Sequence, residues 1–469
     1  MKVKNVPSRW IYEEGLRLDS GPYMSGALES KILLEELPST QPLCEVTLGG
    51  LHGIFHAGRK KRLWVESRED GIPFLSSTDI LEADLSHLSC ISRKQVKSSP
   101  ELLIKEGWTL ITRSGTIGRM AYARSDMDGL ACSEHVIRVI PDENKILPGF
   151  LFAYLSSKYG VPLITQGTYG SIIQSIEPKH IASLPVPRFE EKVESEIHKL
   201  VDSAAKLRVS AAQKNEEIES KLLESFNCEK SLFGEVVKGW NIGYSVSSNE
   251  INKTLRLEGY FHNPIAQNID DWIEAEDKTF SSLGEVADVY DVPPFKHIYV
   301  DPEQGVPFFT SGDLFKLDRV TDKYLSKTQT KDLSKYILSQ GWVLLARSGQ
   351  LGGIIGRPQF ADSSLDKAAT SDHVIRIVPH SGKVPSGYLY AYLSSSKIGY
   401  PLLTRSMTGA SVPALWPVYL KQIKVLLASE ELMQEIDREV RSVFEMRVKA
   451  TAQEGKAREH LEKAIEAAA

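Results

Sequence analysis

The chain has 469 residues and a formal net charge of −5, with 42% hydrophobic and 25% charged residues. These proportions are typical of a globular protein and exclude a disordered chain, a collagen and a short disulfide-linked scaffold. The length suggests about three structural units. The four cysteines are far apart and show no zinc-binding spacing. The net charge argues against a protein that simply coats nucleic acid, although a local basic groove is compatible with it.

The first residues of the sequence contain no apolar signal core, and no stretch approaches about 18 uninterrupted apolar residues. We therefore expect a cytoplasmic protein that does not span a membrane.

The sequence contains two tandem copies of one unit. Residues 107–118 (GWTLITRSGTIG) match residues 341–352 (GWVLLARSGQLG) at an offset of 234. The other matching blocks keep the same order, at offsets from 234 to 239: 16–19 with 255–258, 72–79 with 306–313, 135–141 with 373–379, and 150–157 with 388–395. A repeat of this length is far too long for a solenoid and predicts two similar domains.

Each copy begins with a mixed α/β part. In the first copy, residues 108–112 and 136–140 are short apolar runs typical of strands, and residues 148–155 open with Pro-Gly and predict a short helix.

Each copy ends in a long amphipathic helix. Apolar residues step by three and four from Val193 to Leu222, with Lys214 as the one polar position, and again from Leu432 to Ala464. This spacing is close to a heptad pattern. The two helices are about equally long, so we expect each to cover the apolar stripe of the other as an antiparallel coiled coil. The alternative is that each helix packs only on its own domain.

The predicted fold is α+β, with two tandem mixed α/β domains joined by two long helices that form an antiparallel coiled coil. The predicted boundaries are 1–189 for the first domain, 190–227 for its helix, 228–426 for the second domain and 427–469 for its helix.

Segments that resemble catalytic motifs lack the required spacing. Residues 291–295 (DVPPF) are similar to the signature of amino-methyltransferases, but Val292 separates the acidic residue from the prolines. Residues 349–356 have the wrong glycine spacing for a phosphate-binding turn. The eleven histidines show no metal-ligand spacing, and we expect His135 and His373 to be structural. The sequence therefore predicts no catalytic residue, no metal and no cofactor for this chain.

The repeated Arg-Ser-Gly-x-x-Gly turn is the most informative motif. Its glycines allow close backbone approach and expose N–H groups, and its arginine suits phosphate or the O6 and N7 atoms of guanine. A tight structural turn with a salt-bridged arginine is the alternative. Residues 51–120 carry eleven Lys/Arg and eight Asp/Glu, whereas the helix 190–226 carries six and nine. Positive charge in the domains favours phosphate binding there.

The order of domain, long helix, domain, long helix resembles the specificity (S) subunit of type I restriction-modification enzymes. The motifs agree: residues 16–19 (LRLD) and 255–261 (LRLEGYF) are similar to the segment that opens each target recognition domain in that family. Residues 107–118 are similar to the strand and the Arg-Ser-Gly-x-x-Gly turn that follow in the recognition domains of that family. Residues 167–171 (GTYGS), followed by 181–187 (IASLPVP), resemble its passage into the spacer helix, although Lys192 departs from the pattern and the proline-rich exit is lost in the second copy.

The resemblance implies a non-catalytic subunit of a DNA methyltransferase/endonuclease complex. Each domain would recognise one half of a bipartite, asymmetric sequence in double-stranded DNA. The helices would set the gap between the half-sites and dock two adenine methyltransferase (M) subunits, and ATP-dependent nuclease (R) subunits would join them. S-adenosylmethionine, ATP and magnesium would belong to those partners.

The candidate DNA-binding residues combine the turns and the basic runs. They are Arg59, Lys60, Lys61, Arg62, Arg113, Ser114, Thr116, Arg119, Thr168, Tyr169 and Ser171 in the first copy, and Lys316, Arg319, Arg347, Ser348 and Gln350 in the second. Two other functions remain open: a stand-alone tandem nucleic-acid-binding module of another phage-defence system, and a coiled-coil scaffold without nucleic-acid affinity.

Overall fold

The computed structural model describes residues 3–13, 21–166, 175–228, 245–275, 278–409 and 411–469. The chain divides into two compact units, one of residues 1–209 with 449–469 and the other of residues 210–448. Unit 1 therefore contains the first repeat, unit 2 contains the second, and both long helices contribute residues to each unit.

The first repeat and its long helix comprise ten strands and eight α-helices in the described residues. The strands are β1 (Thr40–Pro42), β2 (Ile54–Phe55), β3 (Trp64–Val65), β4 (Gly71–Leu75), β5 (Cys90–Ser92), β6 (Thr109–Thr112), β7 (Met120–Tyr122), β8 (Ala131–Cys132), β9 (Val136–Val139) and β10 (Pro185–Pro187). The helices are α1 (Ser8–Glu13), α2 (Gly21–Met24), α3 (Ala27–Glu35), α4 (Arg93–Lys97), α5 (Pro148–Leu155), α6 (Gly160–Gln166), α7 (Pro178–Ile181) and the long α8 (Glu191–Ser225).

The second repeat and its long helix follow the same order. The strands are β11 (Phe280–Ser282), β12 (Ala287–Tyr290), β13 (Gly305–Phe309), β14 (Tyr324–Ser326), β15 (Val343–Ala346), β16 (Pro358–Phe360), β17 (Ala369–Thr370), β18 (Val374–Pro379) and β19 (Lys424–Leu426). The helices are α9 (Ser248–Thr254), α10 (Pro264–Ala275), α11 (Leu283–Val286), α12 (Ser386–Ser394), α13 (Gly399–Arg405), α14 (Pro417–Leu420) and the long α15 (Glu430–Ala468).

Two four-stranded sheets form the centre of unit 1. The sheet with the order β2-β9-β6-β7 has antiparallel neighbours, and we call it the larger sheet because its strands contain 13 residues. The other, with 12 strand residues, is called the smaller sheet; its order is β3-β5-β4-β8, and β4 and β8 are parallel. All four residues of β6 and all four of β9 are buried, which explains why both strands, apart from Arg138, consist of Val, Ile, Leu and Thr. These elements confirm the predicted strands and the short helix α5.

Unit 2 repeats this topology. Its larger sheet has the order β12-β18-β15-β16, and its smaller sheet has the order β14-β13-β17 with a parallel β13–β17 pair. Tyr299 forms a single bridge to Leu325 where the first repeat has strand β3. The exit strands also match, because β19 pairs with β11 as β10 pairs with β1. The loss of prolines before the second helix therefore leaves the exit strand in place.

The segment 255–261 of unit 2 is organised around one arginine. Arg256 is 8% exposed, and its guanidinium lies 4.6 Å from the ring centre of Phe261 and 4.5 Å from that of Tyr419. It also pairs with Glu258 at 2.8 Å. Stacking and pairing together stabilise the buried cation. The matching segment 16–19 lies outside the described residues.

Each repeat approaches its own long helix closely at a glycine. A Cβ on Gly149 would lie 2.7 Å from Nδ1 of His198, and a Cβ on Gly387 would lie 2.8 Å from Cα of Asp437. In both places the helix side chain accepts a hydrogen bond from the glycine N–H, at 3.1 Å for His198 and 2.6 Å for Asp437. The absence of a side chain at this position therefore lets α5 and α12 dock on the long helices.

Acidification is expected to destabilise unit 1 through His198. Burial lowers the pKa of this imidazole, and its Nδ1 must be unprotonated to accept from Gly149. The unfolded chain, with a pKa of about 6.5, takes up the proton first, so stability present above that pH falls as the pH drops towards the lowered folded pKa. Melting temperatures at about pH 7.5 and 5.5 check this, with His198→Asp as the control because Asp437 is the natural equivalent. If His198→Asp keeps the full pH dependence, His198 is not its source.

The two long helices pair with each other within each unit. In unit 1, Ile197 and Val201 of α8 share a hydrophobic core with Ala457 and Leu461 of α15. The charged contacts Glu196–His460 and Arg208–Glu454 run in opposite directions along the two helices, so the pair is antiparallel. In unit 2, Lys221 bridges Glu435 and Glu439 at 2.6 and 2.8 Å. The predicted fold class and helix pairing are confirmed, and each helix also packs on its own repeat.

The helix seam in unit 1 contains a buried ion pair that the apolar periodicity does not reveal. Arg208 and Glu454 are bonded to each other, and their side chains are only 4% and 5% exposed. Lys214, the predicted polar position, is only partly buried. The apolar steps of three and four place Leu207 in the seam, but the structure buries Arg208 there and leaves Leu207 partly exposed, while Ala204 and Ala211 on either side are buried.

No helix in the described part of the chain is long and apolar enough to cross a lipid bilayer.

Candidate nucleic-acid interface

Three loops of the first repeat meet at one end of its larger sheet. Strands β2 and β6 both run antiparallel to β9, so the ends of β2 and β6 lie beside the start of β9. The loops 56–63, 113–119 and 133–135 therefore converge there, and we call this surface the loop edge. The second repeat has an equivalent loop edge made of residues 291–298, 347–357 and 371–373.

The Arg-Ser-Gly-x-x-Gly turn forms the centre of the loop edge. Gly115 and Gly118 have φ values of 79° and 76°, a region that favours glycine. Thr112 closes the turn, because its hydroxyl donates to the carbonyl of Thr116 and its backbone N–H donates to Arg119 O at 2.8 Å. The side chains of Thr116 and Arg119 are exposed on this turn.

The arginine of the turn is held by protein groups. Nε of Arg113 donates to the carbonyl of Ile176 at 3.0 Å, and Nη2 is paired with Glu177. Glu177 also lies 3.9 Å from Nε2 of His56. The salt-bridged alternative weighed from the sequence thus describes Arg113 in this structure, with a carboxylate supplied by a distant segment.

A chain of polar contacts continues across the loop edge. Ser114 Oγ lies 2.6 Å from Nδ1 of His135, and the neighbouring Glu134 accepts from Nη2 of Arg62 at 3.0 Å. The pKa of Glu134 is lowered: partial burial raises it, but hydrogen bonds from its own backbone N–H and from Arg62 outweigh that effect. Glu134 therefore remains charged and fixes the position of Arg62.

In the basic run 59–62, side chains that form hydrogen bonds or ion pairs alternate with side chains that form none among the described residues. Lys60 donates to Ser99 at 2.8 Å and is paired with Glu101, while Arg62 is held by Glu134. Arg59 and Lys61 are exposed, and their charged groups contact no residue in the described ranges. This alternation follows from the period of two in an extended chain. It leaves the cations of Arg59 and Lys61 available to phosphate.

The guanidinium of Arg119 is also available to phosphate, since it has no partner among the described residues. Thr168, Tyr169 and Ser171 lie outside the described residues.

The second loop edge uses the same framework with other partners. The backbone N–H of Arg347 donates to the carbonyl of His373 at 2.8 Å, as Arg113 does to His135. Its guanidinium lies 3.4 Å from Asp291, which occupies the position of His56. Ser348 forms a bridge with Ala414, as Ser114 does with Ser175. Gln350 is exposed on the turn.

Lys316 and Arg319 lie in a different environment. Lys316 is paired with Asp313, and its side chain is 38% exposed. Arg319 is 9% exposed, and its guanidinium donates to Leu314 O at 3.0 Å and to Asp362 at 2.5 Å, with further donors to Ser364 and Gln359. Its donors are thus directed into the protein.

Two buried arginines support the loop edges, and sequence reasoning missed both. Arg138 is fully buried and donates to the carbonyls of Ser133, Val136, Cys132 and Leu102 at 2.6 to 3.3 Å. Arg376 makes three of these bonds, to the equivalent carbonyls of Ser371, Val374 and Thr370, and burial lowers its pKa to about 10. The signal was present, because the segments 135–138 and 373–376 both place an arginine inside an apolar strand.

The structure also brings together a group of potential metal ligands that the spacing of the histidines in the sequence does not indicate. Single ligand atoms of Asp79, Glu82 and His87 lie within 4.8 Å of one another. In the second repeat Lys316 occupies the position of Glu82 and pairs with Asp313, the equivalent of Asp79.

Comparison with known proteins points to one family. A family model described as the type I restriction modification DNA specificity domain matches residues 45–220. The matched segment contains all three loops of the first loop edge and most of α8. No curated protein sequence gives a significant match.

Several solved structures are similar over nearly the whole chain, at low identity. A type I restriction-modification S subunit from M. genitalium is 12% identical, covers 92% of this chain and 94% of its own, and has a TM-score of 0.29. An HsdS subunit from Thermoanaerobacter tengcongensis is 15% identical, covers 92% and 96%, and has a TM-score of 0.27.

Proposed function

We propose that the chain is a non-catalytic DNA specificity subunit of a type I restriction-modification system, and that each of its repeats binds one half of a bipartite, asymmetric DNA sequence. The single observation that supports this most strongly is the pair of equivalent loop edges. Both have the same strand framework and the same Arg-Ser-Gly-x-x-Gly sequence in the central loop, but they present different side chains, and the loop is longer in the second repeat. Two similar frameworks with different surfaces suit two different half-sites.

Available cations favour the first loop edge as a DNA-binding surface. Arg59, Lys61 and Arg119 have charged groups with no protein partner in the described residues, and phosphate contacts supply much of the affinity for DNA. Ser114 and Thr116 extend the proposed surface. In the second repeat we propose Arg347, Ser348 and Gln350, while Arg319 is left out because its donors are already used.

Membership of the family implies assembly within a type I restriction-modification system. We propose that the partners are two adenine methyltransferase subunits, which dock on the long helices, and ATP-dependent nuclease subunits. S-adenosylmethionine, ATP and magnesium would then be bound by those partners.

Lys61→Ala is expected to weaken binding to all DNA sequences alike. The Lys61 ammonium is exposed and has no partner among the described residues, so its proposed contact is with phosphate, which carries no base information. Loss of one such contact should reduce the slope of log Kd against log salt by about 1. Titrations of labelled duplexes at several salt concentrations measure this slope. Lys463→Ala, on the helix α15, is the control and should leave the slope unchanged.

The proposed function is tested by selection of bound DNA from a random duplex pool. The purified chain, assembled with the methyltransferase subunit of its own system, is expected to select two short defined sequences separated by a fixed undefined gap. Selection of one continuous sequence, by the chain without any methyltransferase, would instead support a stand-alone nucleic-acid-binding module. Failure to retain any DNA at low salt would support a coiled-coil scaffold.

A further inference from the structure

An aromatic platform in the smaller sheet adjoins each loop edge. Phe74 in β4 and Phe308 in β13 are at equivalent positions, and each has a second aromatic ring against it. The ring centres of Trp64 and Phe74 are 5.5 Å apart, and those of Tyr299 and Phe308 are 6.0 Å apart. This part of the surface therefore has the same apolar base in both repeats.

The side chain that lies over the platform differs between the repeats. The guanidinium of Arg62 lies 4.8 Å from the ring centre of Phe74, and the imidazole of His297 lies 4.8 Å from that of Phe308. The two residues are equivalent, because the loops that carry them start from the paired positions Phe55 and Tyr290 and have the same length. One site in the fold thus presents an arginine in one repeat and a histidine in the other.

The arginine is oriented, unlike the cations beside it. Stacking on Phe74 fixes the plane of the guanidinium, and Glu134 and Ser133 accept from Nη2 at 3.0 and 3.4 Å. Nη1 and Nε have no acceptor within the described ranges, so three N–H groups stay available on a side chain that is 33% exposed. Arg59 and Lys61 lack any such support in the described residues.

We propose that Arg62 and His297 are base-reading residues that make the two half-sites different, with Arg62 recognising a guanine. Two hydrogen bonds from arginine to O6 and N7 of guanine are the commonest specific contact in the major groove. Because Glu134 and Ser133 occupy Nη2, the proposed contact uses Nη1, whose two N–H groups can donate to O6 and N7. A neutral imidazole has one donor and one acceptor nitrogen, so His297 cannot make this double donation. This proposal rests on the proposed function, since it assigns a role within the same DNA-binding surface.

The test is a base-specific change of preference in the random-pool selection with the assembled complex. Arg62→Gln should replace one guanine of the first half-site by adenine, because glutamine pairs with N6 and N7 of adenine. We expect the preference for that guanine to fall by about 10-fold or more, with the second half-site unchanged. Lys61→Gln is the matched control, one residue away, and should weaken binding without changing any preferred base.

The reciprocal variant His297→Arg tests the same base-reading role in the second repeat, and it does so even if Arg62→Gln disturbs folding. It should introduce a guanine preference at one position of the second half-site and leave the first unchanged. Unchanged base preferences in both variants, with binding retained or uniformly weakened, would overturn the proposal. Failure of the wild-type complex to select any bipartite sequence would instead refute the proposed function itself.

Discussion

Arg208→Ala is expected to lower the free energy of unfolding of unit 1 by about 3–5 kcal/mol. The side chains of Arg208 and Glu454 are 4% and 5% exposed and bonded to each other in the helix seam. Removal of the arginine leaves the buried Glu454 carboxylate with only the more distant Arg458, at 3.9 Å on the same helix, and a buried charge that has lost its close partner is costly. Denaturant unfolding followed by circular dichroism measures the change.

The double variant Arg208→Met with Glu454→Leu separates the cost of an unpaired charge from the value of the pair. Two apolar residues of similar volume should restore the stability of the wild type or exceed it by about 1–4 kcal/mol. Lys463→Ala removes an exposed ion pair with Glu459 on the same helix and should leave the melting temperature unchanged. A double variant as unstable as Arg208→Ala would mean that the pair itself, and not the orphaned carboxylate, determines the effect.

Arg138→Met is expected to destabilise unit 1 by about 3 kcal/mol or more and to abolish recognition of the first half-site. The guanidinium of Arg138 bonds four backbone carbonyls, two of which belong to Cys132 and Ser133. Methionine fills similar volume but removes the guanidinium donors from these buried carbonyls, of which Ser133 O keeps a bond from the backbone N–H of Val136, and this loss outweighs the relief of burying one cation less. The turn 133–135, which carries Glu134 and His135, would lose its support.

Melting temperatures and random-pool selection together measure this effect. Arg376→Met should cause a similar loss in unit 2 and at the second half-site only, because Arg376 bonds three of the four equivalent carbonyls. Arg138→Lys keeps the charge but cannot reach all four carbonyls, so it should resemble Arg138→Met. Normal recognition of the first half-site by Arg138→Met would show that the turn does not depend on this arginine.

The sequence predicts much of the fold because repetition and periodicity are properties of the chain itself. The offsets of 234 to 239 indicate two domains, and the apolar steps of α8 and α15 indicate two paired helices. The phase of the seam was harder to predict, because Arg208 and Glu454 are charged residues at buried positions. A hydrophobic pattern has no signal for a charge whose partner lies on another helix.

The loop edges show the same limit. The Arg-Ser-Gly turn was identified from its sequence, but the carboxylates that hold its arginines, Glu177 and Asp291, come from unrelated places in the two repeats. Ion pairs between segments that are far apart in the sequence have no fixed spacing along the chain, so a motif cannot predict them. The roles of the candidate DNA-binding residues and the domain boundaries 1–189, 190–227, 228–426 and 427–469 stay predictions, and Thr168, Tyr169 and Ser171 lie outside the described residues.

A base-resolution methylome of the host, with and without this chain, shows whether the chain directs methylation. We expect that one bipartite adenine-methylated motif disappears on deletion and returns when the chain is restored. Its two halves would identify the targets of the two loop edges. If every methylated motif persists without the chain while the methyltransferase of the system is active, the chain does not direct methylation, and the assignment of its repeats as half-site readers is contradicted.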